Sequence, residues 1–315
     1  MKRVVILLLI NLSCLFADNG WETINSEKFS YYLSSMDCYG ENKFAACCSG
    51  TLALSEDGGL TWKEIYVGVE TGLNSVIFQD SVNIWLVGQS GIIIKYNIAE
   101  NKYYDKSIGG YQDLDKIIFY DNDNSLISNS LGTIYRTTNN GDYWDSVFST
   151  DGYEVSSFAI KNNEIFMSSN KEKPADSKIY SSKDGGKSWD LITRIKNERV
   201  NVLSVYNDEI WAGGYFGLLM KSTDNGISWK WYNKKSNFNI WSLIISEDSI
   251  YAASKWHSDG VLKSDKGNGK WTLDMKIQES WINTLISNGK YLLTSTSNRI
   301  TTDEGKYEIK RKKIE

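Results

Sequence analysis

One proline (Pro174), one histidine (His257) and four cysteines in 315 residues are the scarcities that constrain this chain most. A lone histidine and the lack of any C-x-x-C spacing leave no set of metal ligands, so neither a metal site nor a cofactor is expected. With proline confined to one position, β-strands run almost uninterrupted. No internal segment keeps a 3.6-residue apolar period over several turns, which excludes a helical domain. No Gly/Ser-rich linker, charge block or shift in composition divides residues 18–315, which read as one domain. Arginine is sparse: beyond Arg3 there are Arg136, Arg194, Arg199, Arg299 and Arg311.

The only apolar run of note is at the start. Met1-Lys2-Arg3 followed by Val4 to Leu12 has the form of a signal peptide spanning residues 1–17, too short for a membrane span. Acylation of Cys14 is the alternative route to the cell envelope. Removing residues 1–17 takes Lys2 and Arg3 from the 35 basic residues and leaves 39 acidic ones, a net charge of 33 − 39 = −6. That excess argues against nucleic acid as partner. Export permits a disulfide from Cys38 to Cys47 or Cys48; burial of all three as small apolar residues is the other reading. The basic end, Lys310 to Lys313, reads as a solvated tail.

What the chain has in abundance is a phrase. Ser55-Glu-Asp57-Gly-Gly59-Leu-Thr61-Trp62 returns as Ser182-Lys-Asp184-Gly-Gly186-Lys-Ser188-Trp189 and Ser222-Thr-Asp224-Asn-Gly226-Ile-Ser228-Trp229. Thr137-Thr-Asn139-Asn-Gly141-Asp-Tyr143-Trp144 is a close variant. Ser264 to Trp271 keeps the spacing without the Asp, Thr301-Thr-Asp303-Glu-Gly305 lacks the Trp, and a worn copy sits at Tyr96-Asn97. The spacing is about 41 residues, which signals a repeat architecture. An Asp accepting N–H groups of its own turn, a Gly in a conformation closed to other residues and a Trp filling the space behind it make a structural corner. Asp57, Trp62, Asn139, Trp144, Asp184, Trp189, Asp224 and Trp229 are therefore assigned structural roles.

Around each turn the sequence shows β-rich runs joined at Gly, as in Ile84-Trp85-Leu-Val-Gly88 and Ile210-Trp211-Ala-Gly-Gly214. Four antiparallel strands per repeat and seven repeats predict an all-β, seven-bladed propeller, with blades near 28–67, 70–107, 112–149, 153–194, 198–234, 238–275 and 279–310. Trp21-Glu-Thr-Ile24 has the form of the strand after a turn, yet precedes the first repeat. It is expected to complete the last blade and remove two free edges.

This Asp-box phrase is shared by bacterial neuraminidase repeats, sortilin-type propellers and some xyloglucan-active glycosidases. Its combination with the upstream Gly hairpins resembles most the photosystem II assembly and stability factor family. The resemblance implies a seven-bladed propeller that binds protein partners and catalyses nothing: a secreted or envelope scaffold.

Candidate binding residues lie on the face opposite the repeat turns: Tyr215 and Phe216, Trp256 and His257, and the segment Asn170 to Ser177, expected to be the longest loop there. Arg199, Glu154 and Glu279 align near the starts of inner strands and are expected at the channel rim; Trp241 and Trp281 are expected to pack between sheets. Two readings are open for Phe216 and Trp256, exposure to a partner or burial between blades. The alternative function is a sialidase-like glycoside hydrolase or a glycan-binding module. Such an enzyme needs an arginine triad for the substrate carboxylate. Arg194, Arg199 and Arg299 are the candidates, since Arg136 occupies a strand slot and Arg311 the tail. No catalytic residue is assigned, and the partner is expected to be a protein or a surface glycan.

Overall fold

A computed structural model describes residues 19–29, 33–232, 236–255, 260–267, 269–277, 280–298 and 307–314. Its strands form seven four-stranded antiparallel sheets. The first sheet runs Ser35–Tyr39, Lys43–Cys48, Thr51–Ser55 and Lys63–Tyr66, and the next five follow the same order. The leading strands touch in a closed ring, from Ser35–Tyr39 through Leu73–Phe78, Leu114–Phe119, Glu154–Lys161, Val200–Tyr206, Asn239–Ile245 and Ser280–Ser287 back to the first. The architecture is a seven-bladed propeller.

There is no single core. Seven apolar clusters sit one at each junction between neighbouring sheets. Alternate residues of a strand face opposite neighbours, so the middle strands of a blade, buried on both sides, read as continuous apolar runs such as Phe44-Ala-Ala-Cys-Cys48. The inner strands of the second to sixth sheets each carry one bulge at the same place, at Asn74, Asp115, Ser156, Asn201 and Trp241. The extra residue bends the strand and re-aims its side chain. Asn74 donates to Leu114 O at 3.0 Å, Ser156 to Val200 O at 2.9 Å and Asn201 to Ile240 O at 2.9 Å. The inner ring is thereby stitched from blade to blade.

The repeat turns hold themselves and the next junction. In the first, Leu60 and Thr61 N–H groups donate to Asp57 Oδ1, Thr61 Oγ1 donates to Oδ2, and Trp62 Nε1 donates to Gly59 O at 3.0 Å. Ser182 to Trp189 and Ser222 to Trp229 repeat this pattern. In the Asn139 variant a second change accompanies the first. Tyr143 replaces the residue whose hydroxyl serves the second carboxylate oxygen, leaving one Asn139 oxygen to accept Tyr143 N at 3.0 Å. The turn Gly faces the preceding blade: a Cβ on Gly186 (φ +81) would lie 2.5 Å from Leu126, and one on Gly141 2.5 Å from Trp85. Positive φ and lack of room both require glycine. The residue after the Asp is gripped from the preceding blade, as by Arg136 Nε on Gly185 O at 2.8 Å and Lys161 Nζ on Asn225 Oδ1 at 2.7 Å.

Trp21–Phe29 pairs with Tyr307–Lys313, so the first strand in sequence is the outer strand of the seventh sheet. Two expectations are corrected here. Lys310 to Lys313 is no solvated tail but part of the third strand of that sheet, flanked on both sides. Arg311, 8% exposed, donates to Gly58 O and pairs with Glu22. Thr301 to Gly305, read as a seventh turn, falls by chain order between the second and third strands, and lies outside the described residues. The seventh corner is instead made where the two ends of the chain meet. Lys312 stands opposite Trp21 as Ser264 stands opposite Trp271. Asp274, from the outer strand of the sixth sheet, accepts from Trp21 Nε1 at 2.7 Å and from Lys312 Nζ at 2.7 and 2.9 Å.

Cys38, Cys47 and Cys48 are free thiols. Cys47 faces the second sheet, whereas Cys38 and Cys48 face the seventh. Cys38 lies opposite Phe44, four residues from Cys48 along the strand, or about 13 Å, beyond the reach of a disulfide. Burial pushes the Cys38 and Cys47 thiols up to about 12 and Cys48 to about 11, so all three are inert small hydrophobes.

Charge placement predicts a pH profile. Hydrogen bonds from the Ser228 hydroxyl and N–H hold Asp224 near 2. Asp184 is likewise about 2: its desolvation is outweighed by bonds from Ser188 and Ser182. These carboxylates contribute stability that is whole above the unfolded value of about 4 and is lost as pH falls towards 2. Asp37 and Asp115 act oppositely. Burial pushes each up to about 6, so the folded state takes up their protons first and gains stability as pH drops from 7 through 6 towards 4. Urea midpoints should peak between about pH 4 and 6. Asp37→Asn should flatten the rise between 7 and 4 and Asp184→Asn the fall below 4; a midpoint that climbs steadily from pH 4 to 7 contradicts the assignment.

Candidate functional site

The face opposite the repeat turns carries the second-to-third strand connections and the entries to the inner strands. Here the fifth sheet presents Tyr215-Phe216-Gly217, a single tight turn between Glu209–Gly214 and Leu219–Ser222. Phe216 has φ 55, a left-handed conformation that an aromatic residue adopts rarely. The surroundings impose it. Tyr215 N donates to Arg199 O, Gly217 N to Phe238 O, Phe216 N to Asn239 Oδ1 at 2.9 Å, and Ser236 N to Phe216 O at 2.8 Å. With its backbone pinned, the Phe216 ring remains 59% exposed. Exposure, not burial between blades, is the outcome for this residue.

Arg199 sits directly before the inner strand of the fifth sheet. Its guanidinium lies over the Tyr215 ring at 5.0 Å and within 3.5 Å of Glu154 and 3.7 Å of Glu172. Its side chain is largely buried, at 14% exposed, while both carboxylates reach into solvent. Burial leaves its Nε without an acceptor, so contacts with the ring and the two acids hold the side chain. Tyr215 packs edge-on against Trp241 at 5.8 Å. Phe216, Tyr215, Arg199, Glu154 and Trp241 thus form one continuous group spanning the fourth to sixth sheets at the channel mouth.

The sequence placed Arg199 and Glu154 at the rim, and they meet there. Trp241, expected to pack between sheets, does so at the mouth, where it is half-buried against Tyr215 of the fifth sheet. Trp256, His257, Glu279 and Arg299 lie outside the described residues, as do the surroundings of the Trp281 side chain. The segment Asn170 to Ser177 is not the long loop expected. Its flanking strands, Glu164–Lys171 and Asp176–Ser182, take up half of it and leave residues 172–175 as the turn. A network hidden from the sequence extends the strands. Asp176 accepts from Tyr153 Oη at 2.7 Å and from Arg194 Nη2 at 2.7 Å, and bonds from Arg194 hold its carboxyl below the usual range. Arg194 therefore serves the outer strand of the fourth sheet, away from Arg199, and these two do not converge on one substrate carboxylate. Among the described residues, no group of three His, Cys, Asp or Glu side chains is placed to hold a metal.

Residues that the sequence reading missed are Leu131, 57% exposed, and Tyr111, fully exposed, on neighbouring connections of the same face. Both stand in Gly-flanked turns, where an apolar side chain has no packing reason to occur; that was the available signal.

Comparison with solved structures places the fold among known propellers. YCF48 bound to a D1 peptide superposes with a TM-score of 0.72 at 17% identity, over 94% of this chain and 96% of that one. YCF48 from Cyanidioschyzon merolae gives 0.72 at 13% identity, over 93% and 99%. The β-propeller domain of Myceliophteria thermophila Cps50 (Swd1) gives 0.68 at 9% identity, over 94% and 100%. No protein-family model matches the sequence, and no curated protein matches it. Identities this low speak to fold alone.

Proposed function

We propose that this protein is an exported, non-catalytic propeller that binds a protein partner through the channel-mouth face, with Phe216 as the anchor. One observation carries the reading. The second sheet makes the same turn as the fifth, Gln89-Ser90-Gly91, with Ser90 at φ 58 where Phe216 has φ 55. The backbone accepts serine at that position, so the fold does not require an aromatic there. A rigidly presented, solvent-exposed ring beside a buried arginine has the character of an interface hot spot, where aromatic and arginine side chains dominate affinity.

The same solved propellers support a protein as the partner, since one of them holds a peptide. Export rests on residues 1–17. The absence of catalysis rests on the separation of Arg194 from Arg199 and on the pairing of both mouth carboxylates with a single guanidinium. Photocross-linking in the native host tests the reading: a photoreactive phenylalanine derivative at Phe216, compared with one at Ile227. Ile227 is 74% exposed but sits on a repeat turn of the opposite face. A discrete protein adduct from position 216 and none from 227 is expected. Identical adduct patterns, or none from 216, would overturn it.

A further inference from the structure

The inner strands obey a rule, and two residues break it. Asn74, Ser156 and Asn201 at the bulge, and Ser34 at the matching place in the first sheet, each donate to a carbonyl of the next inner strand. One residue later stand Ser35, Ser75, Ser157, Val202, Ser242 and Thr284 in six sheets, small side chains of which three also bridge to the next strand. In the third sheet that position is Lys116, and in the sixth sheet the bulge itself is Trp241. Lys116 does not serve the stitching. Lys116 has no carboxylate within ion-pair distance among the described residues. Departures from a local rule without a structural gain mark functional positions.

Both departures line one cavity. It is an open cavity of about 300 Å³ between the inner strands of the second to sixth sheets, lined by Ile77, Phe158, Val202 and Trp241 together with Ser157 and Lys116. Lys116 is the only charged lining residue among those described. We propose that this channel cavity binds a small organic carboxylate with an apolar, ring-sized body, the carboxylate paired with Lys116 and the body packed against Trp241 and Phe158. The size suits such a ligand. Charge favours a monoanion over a phosphate dianion, because Lys116 matches one negative charge and a second would find no other cation among the described lining residues. The site shares Trp241 with the mouth group but differs in ligand from the exposed ring at Phe216, and stands or falls separately from the partner-binding reading.

Titration calorimetry of the full exported domain with indole-3-acetate, against the neutral indole-3-acetamide, tests the assignment. Lys116→Ser restores the residue that other inner strands carry at this place, so the variant keeps the fold. Saturable binding of the carboxylate is expected, weakened about ten-fold or more by Lys116→Ser and by the change to the amide, consistent with loss of one charge-assisted hydrogen bond. Phe216→Ser should leave it unchanged. No binding up to millimolar concentration, equal binding of acid and amide, an unchanged dissociation constant in Lys116→Ser, or a matching loss in Phe216→Ser would each overturn the proposal.

Discussion

Replacing Asp274 with alanine is expected to lower the melting temperature by roughly 10 °C. In the first, fourth and fifth sheets the blade-closing corner is a continuous turn whose indole donates to a glycine carbonyl three residues back, as Trp189 does to Gly186. At the junction of the chain ends no such turn spans the gap, and Asp274 does its work from the neighbouring blade. Its carboxylate is 6% exposed and accepts from both Trp21 Nε1 and Lys312 Nζ, whose side chain is 14% exposed. Alanine would leave a buried ammonium unpaired and an indole N–H without an acceptor. Removing one partner of a buried pair costs about 3–5 kcal/mol. At about 2–4 °C per kcal/mol for domains of this size, the shift follows. Asp274→Asn, which keeps an acceptor for Trp21 and loses only the charge, should fall between wild type and alanine. Equal melting of all three proteins would refute the role.

Deleting residues 18–27 should have the larger effect, abolishing the cooperative transition. The segment includes Trp21 and Ile24, 5% and 6% exposed, and the Glu22 partner of Arg311. Without it the strand Tyr307–Lys313, with three lysines and an arginine, becomes an edge. Its backbone groups then lie open to pairing with another chain. Arg311 would keep its bond to Gly58 O but lose the carboxylate that neutralises it. Calorimetry should show a broad, weak endotherm, and size-exclusion chromatography should show association. A sharp transition at the wild-type temperature would mean that the ring closes by other means.

The fold was legible because its information is local and repeated. Each Ser-x-Asp-x-Gly-x-x-Trp copy fixes its own turn through contacts within eight residues, and Trp21 carried enough of the phrase to identify it as an outer strand. What the sequence concealed depends on partners distant in the chain. Lys310 to Lys313 reads as solvated because Thr23, Glu22 and Asp274, which receive Lys310, Arg311 and Lys312, are remote in sequence. Asp176 reads as a loop residue until Tyr153 and Arg194 are seen around it. Asp18-Asn-Gly20-Trp21 was a missed clue: Asn19 (φ 41) and Gly20 (φ 81) keep the left-handed pair that Asn225 and Gly226 adopt in a full turn. At the candidate site, Tyr215, Phe216 and Arg199 could be named from the pattern. That Phe216 is held out by its backbone could not, since Ser236, Phe238 and Asn239 impose the geometry from the next connection.

Phe216→Ser, which installs the residue that the second sheet carries on the same backbone, tests the central claim most directly. Wild-type and variant proteins, matched in melting temperature and circular dichroism, would be recovered from the native host and their co-purifying partner quantified. Partner recovery reduced about ten-fold or more is the expected result for loss of an aromatic anchor. Recovery equal to wild type would contradict a partner held at the channel mouth.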